Sequence, residues 1–246
     1  MRLHLAAALA VVALSIAAPS FASPESVARA VNDASRPKAD RDADFRRLPY
    51  KTILFSGVKE GDVVGEFLPG GGYYTRMLSD VVGPKGTVYA LETTRWGQGN
   101  VDATKAVLNE KGRGNVKFDA AAFGTFNLPE KVDLFWTTLN YHDLHVAKYG
   151  PVDMAAFNKH VFESLKPGGT YFIVDHAANA GTTDAQIADL HRIDKAVVIR
   201  EVEAAGFKLV GESDMLHRPA DDHSKPVFDK SVQGHTDQFM LKFRKA

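Results

Sequence analysis

A mostly parallel α/β sheet with an antiparallel last strand is the fold class that this 246-residue sequence predicts. Three observations predict it. Short apolar runs alternate with amphipathic helix patterns over residues 61–206. Residues 61–83, GDVVGEFLPGGGYYTRMLSDVVG, read as a buried strand, a glycine turn and a helix. The last two strand-like runs, residues 207–213 and 238–243, have no helix between them, so the last is expected to reverse direction.

The first residues read as a signal, not as part of the fold. Arg2 and His4 precede an apolar run over residues 5–18, and Ser20-Phe21-Ala22 places small residues where a signal peptidase reads them. Residues 1–22 are expected to be a removable secretory signal, the run being short for a membrane span. The mature chain is then exported, periplasmic or secreted, with no integral span. Residues 23–47 are polar and mixed in charge, a lead-in with helical pieces such as 25–32. Within it, ADRDADFRRLPY is expected to be solvated, or to lie over a site mouth. A short helix is suggested over 51–57.

In the stretch that follows, Val63 and Val64 start a strand with Glu66 near its end. Gly70, Gly71 and Gly72 permit positive φ and close approach of backbone to a ligand. Tyr74, Met77, Leu78 and Val81 fall on one helical face, and Gly83-Pro84 stops the helix. Residues 86–92 form a second strand ending in Glu92. A helix over 102–111 leads to a short third strand, 115–118, followed by Asp119. Residues 131–138 are apolar on both faces, as a central parallel strand requires. The helix over 153–165 carries Met154, Phe157, Val161 and Leu165 on one face, and a fifth strand, 170–174, ends at Asp175 and His176. Thr183 and Gln186 have capping-box spacing and open a helical region to about residue 205, with a break near Asp194. Right-handed crossovers put the loops after these strands on one edge, where ligands bind. The reversed last strand brings the 214–237 loop to the same edge.

Lys+Arg and Asp+Glu balance at 30 each, which gives no reason to expect nucleic acid or an anionic membrane as partner. A small-molecule substrate is the expected partner. No cysteine is present, which excludes disulfides, thiolate chemistry and a lipoprotein anchor.

The order of elements and motifs resembles class I S-adenosylmethionine-dependent methyltransferases over about residues 48–245. It is closest to predicted bacterial methyltransferases that carry a secretion signal. Glu66 with Pro69-Gly70-Gly71-Gly72-Tyr73 resembles the family's first motif, with Leu68 where its first glycine usually falls. FESLKPGGTYFIVDH resembles its helix, turn and fifth strand. The resemblance implies a Rossmann-like seven-stranded sheet with helices on both faces, in a methyltransferase-like domain over residues 48–246. It implies S-adenosyl-L-methionine as cofactor. It implies a site of Glu66, Pro69, Gly70, Gly71, Gly72, Tyr73, Glu92, Asp119 and Asn140. Glu92 would hold the ribose hydroxyls and Asp119 would lie near the adenine.

The residues support this in part. A carboxylate at Glu92 can accept two hydrogen bonds from a cis-diol. Glu66 is expected to order the glycine loop by accepting backbone N–H bonds, and Asp119 to meet the ligand or cap a turn. The LNYHDLH loop, residues 139–145, falls where the family keeps its reacting groups. Tyr141, His142 and Asp143 are its catalytic candidates, His142 as a base oriented by Asp143. His176, His191, His217, His223 and His235, with Asp221, Asp222 and Asp237, read as a polar lip or a divalent-metal set. No HExxH-type spacing appears, so no metal ligand is assigned. Trp96 packs or flanks an adenine. Arg36, Arg41 and Arg46 form surface ion pairs or meet an anionic substrate. An exported methyltransferase is the leading reading. The second is an exported protein that holds a nucleoside-like or other small ligand without turnover, and the third a metal-dependent hydrolase.

Overall fold

The computed structural model describes residues 22–246. The expected signal, residues 1–22, lies outside them except for Ala22, whose N–H donates to Val58 O at 3.1 Å. Among the described residues no helix is long and apolar enough to cross a membrane.

Three helices, α1 (Pro24–Val31), α2 (Lys38–Arg47) and α3 (Pro49–Ser56), precede β1 (Val63–Phe67). The alternating units follow as α4 (Tyr73–Val82), β2 (Thr87–Thr93), α5 (Gln98–Leu108), β3 (Val116–Ala121), β4 (Val132–Thr138), α6 (Met154–Ser164) and β5 (Leu165–His176). The chain ends with α7 (Asp184–Leu190), α8 (Lys195–Ala204), β6 (Phe207–Ser213) and β7 (Gln238–Lys245). The seven strands lie in the order β3-β2-β1-β4-β5-β7-β6. β3, β2, β1, β4 and β5 pair in parallel, and β7 runs antiparallel to both β5 and β6. The expected seven-stranded sheet with one reversed strand is therefore the observed one.

Each face of the sheet carries its own core. Phe67, Phe135, Tyr171 and Leu241 pack with Phe157, Val161, Val198 and Val202 of α6 and α8. Val64, Trp136, Phe172 and Val174 pack on the other face with Val27, Ile53, Tyr74, Met77 and Leu78 of α1, α3 and α4. Trp136 is fully buried, its ring 4.5 Å from Phe172 and 4.9 Å from Tyr74. Removing such a ring costs about 3–5 kcal/mol.

Two expectations are refined. The ADRDADFRRLPY segment is most of α2, docked on α4 by one side, and of its two expected places it takes the site mouth, where Arg46 and Arg47 line a cavity. Arg36, fully buried, forks onto Asp44 at 2.8 Å, and Arg76 of α4 reaches Asp40 at 3.1 Å. Asp119 lies inside β3, which runs three residues further than expected. The break between α7 and α8 is where it was expected: His191 caps α7 with φ 54°, and Asp194 caps α8 through Ala196 N–H.

Candidate functional site

The carboxyl ends of β1, β2, β4 and β5 share one edge, and the glycine turn sits at its centre. Leu68 leaves β1 with φ 54°, a left-handed backbone that glycine usually supplies. That conformation costs a leucine about 1–2 kcal/mol. Its side chain is buried, worth about 1.5–3 kcal/mol, so burial offsets the strain. The departure from a glycine thus keeps the turn's shape. Leu68 N–H donates to Leu91 O at 2.8 Å, and Gly72 N–H to Pro69 O at 3.1 Å. Gly72, at φ 80°, is doubly required, since a Cβ there would come 2.4 Å from Val107 Cγ2. Gly70 and Gly71 face open space.

The loop is tied from beneath. Thr104 Oγ1 is 2.7 Å from Gly70 O, Arg76 Nη1 donates to Gly71 O at 2.7 Å, and Asn140 Nδ2 donates to Leu68 O at 3.1 Å and Thr138 O at 2.7 Å. Asn140 therefore joins the loops after β1 and β4. Glu92 is nearly fully buried below Gly70. Its Oε1 accepts Thr93 N–H at 2.8 Å and its Oε2 lies 2.9 Å from Thr104 Oγ1. Thr104 has one hydroxyl proton for two acceptors, so it satisfies either Gly70 O or Glu92 at a time.

Several predicted residues serve other partners. Glu66 does not take loop N–H groups. It accepts the Thr75 hydroxyl at 2.6 Å and so anchors the start of α4. Burial pushes its pKa up to about 7, partly opposed by the Thr75 hydrogen bond and reinforced by the nearby Glu92 charge. Tyr73 turns away from the loop. Its phenol donates to Asp44 Oδ1 at 2.7 Å, and the Arg47 guanidinium lies 4.4 Å from its ring centre. Asp119 accepts Asn127 N–H at 3.2 Å and Nδ2 at 3.3 Å, the turn-capping alternative.

In the LNYHDLH loop the three catalytic candidates separate. Tyr141 is fully buried in the core, its phenol 2.9 Å from Glu201 Oε2 and accepting from Asn158 Nδ2 at 2.8 Å. It is a core anchor, not a site group. His142 remains at the edge, but its orienting carboxylate is Asp175 at the end of β5. Asp175 accepts His142 N–H at 2.8 Å and lies 2.7 Å from Nδ1. Asp143 sits at the other nitrogen, 3.3 Å from Nε2, and also 3.2 Å from His191 Nδ1. Burial alone would lower the His142 pKa. The charges and hydrogen bonds of Asp175 and Asp143 outweigh it and push the imidazole up to about 10. Both ring nitrogens thus face a carboxylate, where the expectation had Asp143 alone as the orienting group. Burial would raise Asp143, yet its hydrogen bonds to His142 and His191 hold it at about 2. Asp175 was visible as a strand-end acid. Its pairing with His142 required knowing that β4 and β5 are neighbours.

His176 is buried against Thr236 Oγ1 at 2.8 Å, and burial pushes it well below its ordinary value. His217 and His223 close on Asp237 at 3.0 and 2.9 Å, and Asp221 pairs with the fully buried Arg192 at 2.9 Å. This lip is structural. His235 lies beside Phe45, and Arg41 is exposed. Trp96, Phe123 and Tyr149 converge after β2, β3 and β4, with Trp96 5.2 Å from Phe123 and 4.6 Å from Tyr149. A cavity of about 400 Å³ opens beside the β4 and β5 ends, lined by Arg46, Arg47, Leu139, His176, Phe228 and Gln238.

No family model matches the chain, and no curated protein matches it. Solved structures do share its fold. One is a SAM-dependent methyltransferase from Aquifex aeolicus, 20% identical, with TM-score 0.60 over 91% of this chain and 99% of that one. Another is an arsenic(III) S-adenosylmethionine methyltransferase from Chlamydomonas reinhardtii, 15% identical, with TM-score 0.56 over 91% of this chain and 74% of that one. A third is the cyclase SpnF, 18% identical, with TM-score 0.57 over 87% and 84%. At these identities the likeness is one of fold.

Proposed function

We propose that the chain binds S-adenosyl-L-methionine on the edge formed by β1, β2 and β4 and transfers its methyl group to a small molecule. One observation carries the reading: Gly70 and Gly71 face open space, Thr104 Oγ1 lies between Gly70 O and Glu92, and Asn140 holds the turn at Leu68 O. A glycine turn lets a ligand approach the backbone closely, and a carboxylate below it can accept a diol. The residues fit such a group. When bound, it supplies an electrophilic methyl on a sulfonium sulfur.

The chain's own part is positioning. Gly70 and Gly71 offer open backbone, and Glu92 accepts ribose hydroxyls. When it does, the Thr104 proton is left for Gly70 O, so the loop keeps its tie. Asn140 holds the β1 and β4 loops in one register. Trp96, Phe123 and Tyr149, whose rings meet tilted or edge-on, offer an apolar wall. The cavity beside Arg46, Arg47 and His176 is the place for the acceptor. Tyr73 and Tyr141 have no ligand role. The expected signal over residues 1–22 supports reading this enzyme as exported.

Equilibrium binding of the cofactor to wild type and Glu92→Ala tests the reading. Wild type should bind and the variant should lose at least tenfold in affinity with its circular dichroism unchanged. Equal affinities would refute the role of Glu92, and no binding by either would refute the cofactor. A second reading, ligand binding without turnover, is favoured by the geometry of His142, whose two ring nitrogens both face carboxylates, Asp175 and Asp143, rather than open space. Binding with no methyl transfer across a panel of hydroxyl, amine and thiol acceptors would select it.

A further inference from the structure

The edge beyond Asn140 carries a second constellation. His142, Asp143 and His191 each offer one donor atom, and these atoms all lie within 4.8 Å of one another. They come from two places: the loop after β4, and the C-cap of α7, where the left-handed turn at His191 sends its ring back to Asp143. We propose that these three residues bind one divalent transition-metal ion, with coordination positions left open.

The geometry carries the inference. Ligand atoms about 2.0–2.1 Å from a tetrahedral ion lie about 3.4 Å apart. The two imidazole-to-carboxylate distances are 3.3 Å, from His142 Nε2, and 3.2 Å, from His191 Nδ1. Two edges of the coordination polyhedron are thus already at length. Two imidazoles and one carboxylate are the donor set of open zinc sites and of non-haem iron(II) sites.

The surroundings supply the usual support. A metal-bound histidine commonly gives its other ring nitrogen to a carboxylate, which fixes the ring and strengthens it as a ligand. Asp175, with no exposed surface, does this for His142, at 2.7 Å from Nδ1. It is itself locked by the N–H groups of His142 and His176. The His191 ring is walled by Phe228, 4.9 Å away between ring centres. The Asp143 side chain keeps 14% exposure, which leaves the cluster a route to solvent. Other histidines of the edge are engaged elsewhere: His145 with Glu201, His176 with Thr236, and His217 and His223 with Asp237. The inference does not depend on the cofactor reading, since none of its residues belongs to the glycine turn.

The test is titration of the full chain with zinc(II) against a chromophoric chelator, at pH 7.5. Wild type should take up one equivalent. His191→Ala and Asp143→Asn should each weaken binding at least 100-fold. Asp175→Asn should weaken it 10–100-fold, the loss expected for an outer carboxylate. His217→Ala, outside the cluster, should leave it unchanged. Cobalt(II) should give a visible d–d spectrum that His191→Ala abolishes. Circular dichroism shows which variants remain folded, and His191→Ala, at a helix end, is the arm least prone to unfold. Absence of stoichiometric uptake by folded wild type, or equal uptake by wild type and His191→Ala, would overturn the proposal and leave the cluster an ion-pair network.

Discussion

Replacing Glu66 with glutamine should make the protein more stable in alkaline solution and leave it nearly unchanged in acid. Glu66 is buried at the end of β1 and, among the described residues, accepts only the Thr75 hydroxyl. Burial raises its pKa from an ordinary 4.5 to about 7. An acid whose folded pKa is raised costs stability when it must ionise. Below pH 4.5 both states hold the proton and there is no cost. Between 4.5 and 7 the unfolded chain has released its proton and the native one has not, so stability falls as pH rises. Above 7 both are ionised and the cost is constant. At about 1.4 kcal/mol per pH unit, the gap amounts to about 3 kcal/mol at pH 8 and less than about 1 kcal/mol at pH 5. Glutamine keeps an acceptor for Thr75 and carries no charge. Urea denaturation followed by circular dichroism, for both proteins at pH 5 and pH 8, gives the double difference that isolates this group. Glu66→Gln should gain about 2–3 kcal/mol over wild type on going from pH 5 to pH 8. Parallel pH profiles for the two proteins would refute the reasoning.

Other substitutions test the packing around the site. Gly72→Ala forces a Cβ to 2.4 Å from Val107 Cγ2 at φ 80°, and should cost about 3 kcal/mol in urea denaturation; a loss under about 0.5 kcal/mol would show that α5 can yield. Tyr141→Phe strips Asn158 and Glu201 of a buried partner and should cost about 1–3 kcal/mol while leaving cofactor affinity unchanged. A drop in affinity at full stability would return Tyr141 to the site. Asp44→Ala leaves Arg36 fully buried without its carboxylate and Tyr73 without its acceptor. It should cost about 3–5 kcal/mol, read as a lower thermal midpoint, and an unchanged midpoint would mean that α2 is not needed by α4.

Much of the fold was legible in the sequence because its signals are apolar periodicities. The strand, glycine turn and helix from Val63 to Val82, the capping box at Thr183 and the reversed last strand follow from spacing alone. α2 was illegible for the opposite reason. It docks through Arg36, Asp40, Asp44 and Arg76, charged residues that a hydrophobic pattern assigns to solvent. At the site, backbone features carried over better than side-chain directions. Gly70 and Gly71 face open space and Asn140 ties the β1 and β4 loops, but Tyr73 and Tyr141 point to opposite cores. Neighbours in sequence need not face one site. The chief partner of His142 is 33 residues away across a strand pair, and His191 is 49 positions along the chain. Such convergence exists only once the strand order is known. Leu68 shows the reverse case, an unusual residue holding the usual backbone angle.

Isothermal titration of the folded chain with S-adenosyl-L-methionine, and with its demethylated product, tests the central claim most directly. Saturable heat at micromolar ligand, with affinity weakened at least tenfold by Glu92→Ala, is the predicted result. A folded protein that gives no heat with either ligand at high micromolar concentration would contradict it.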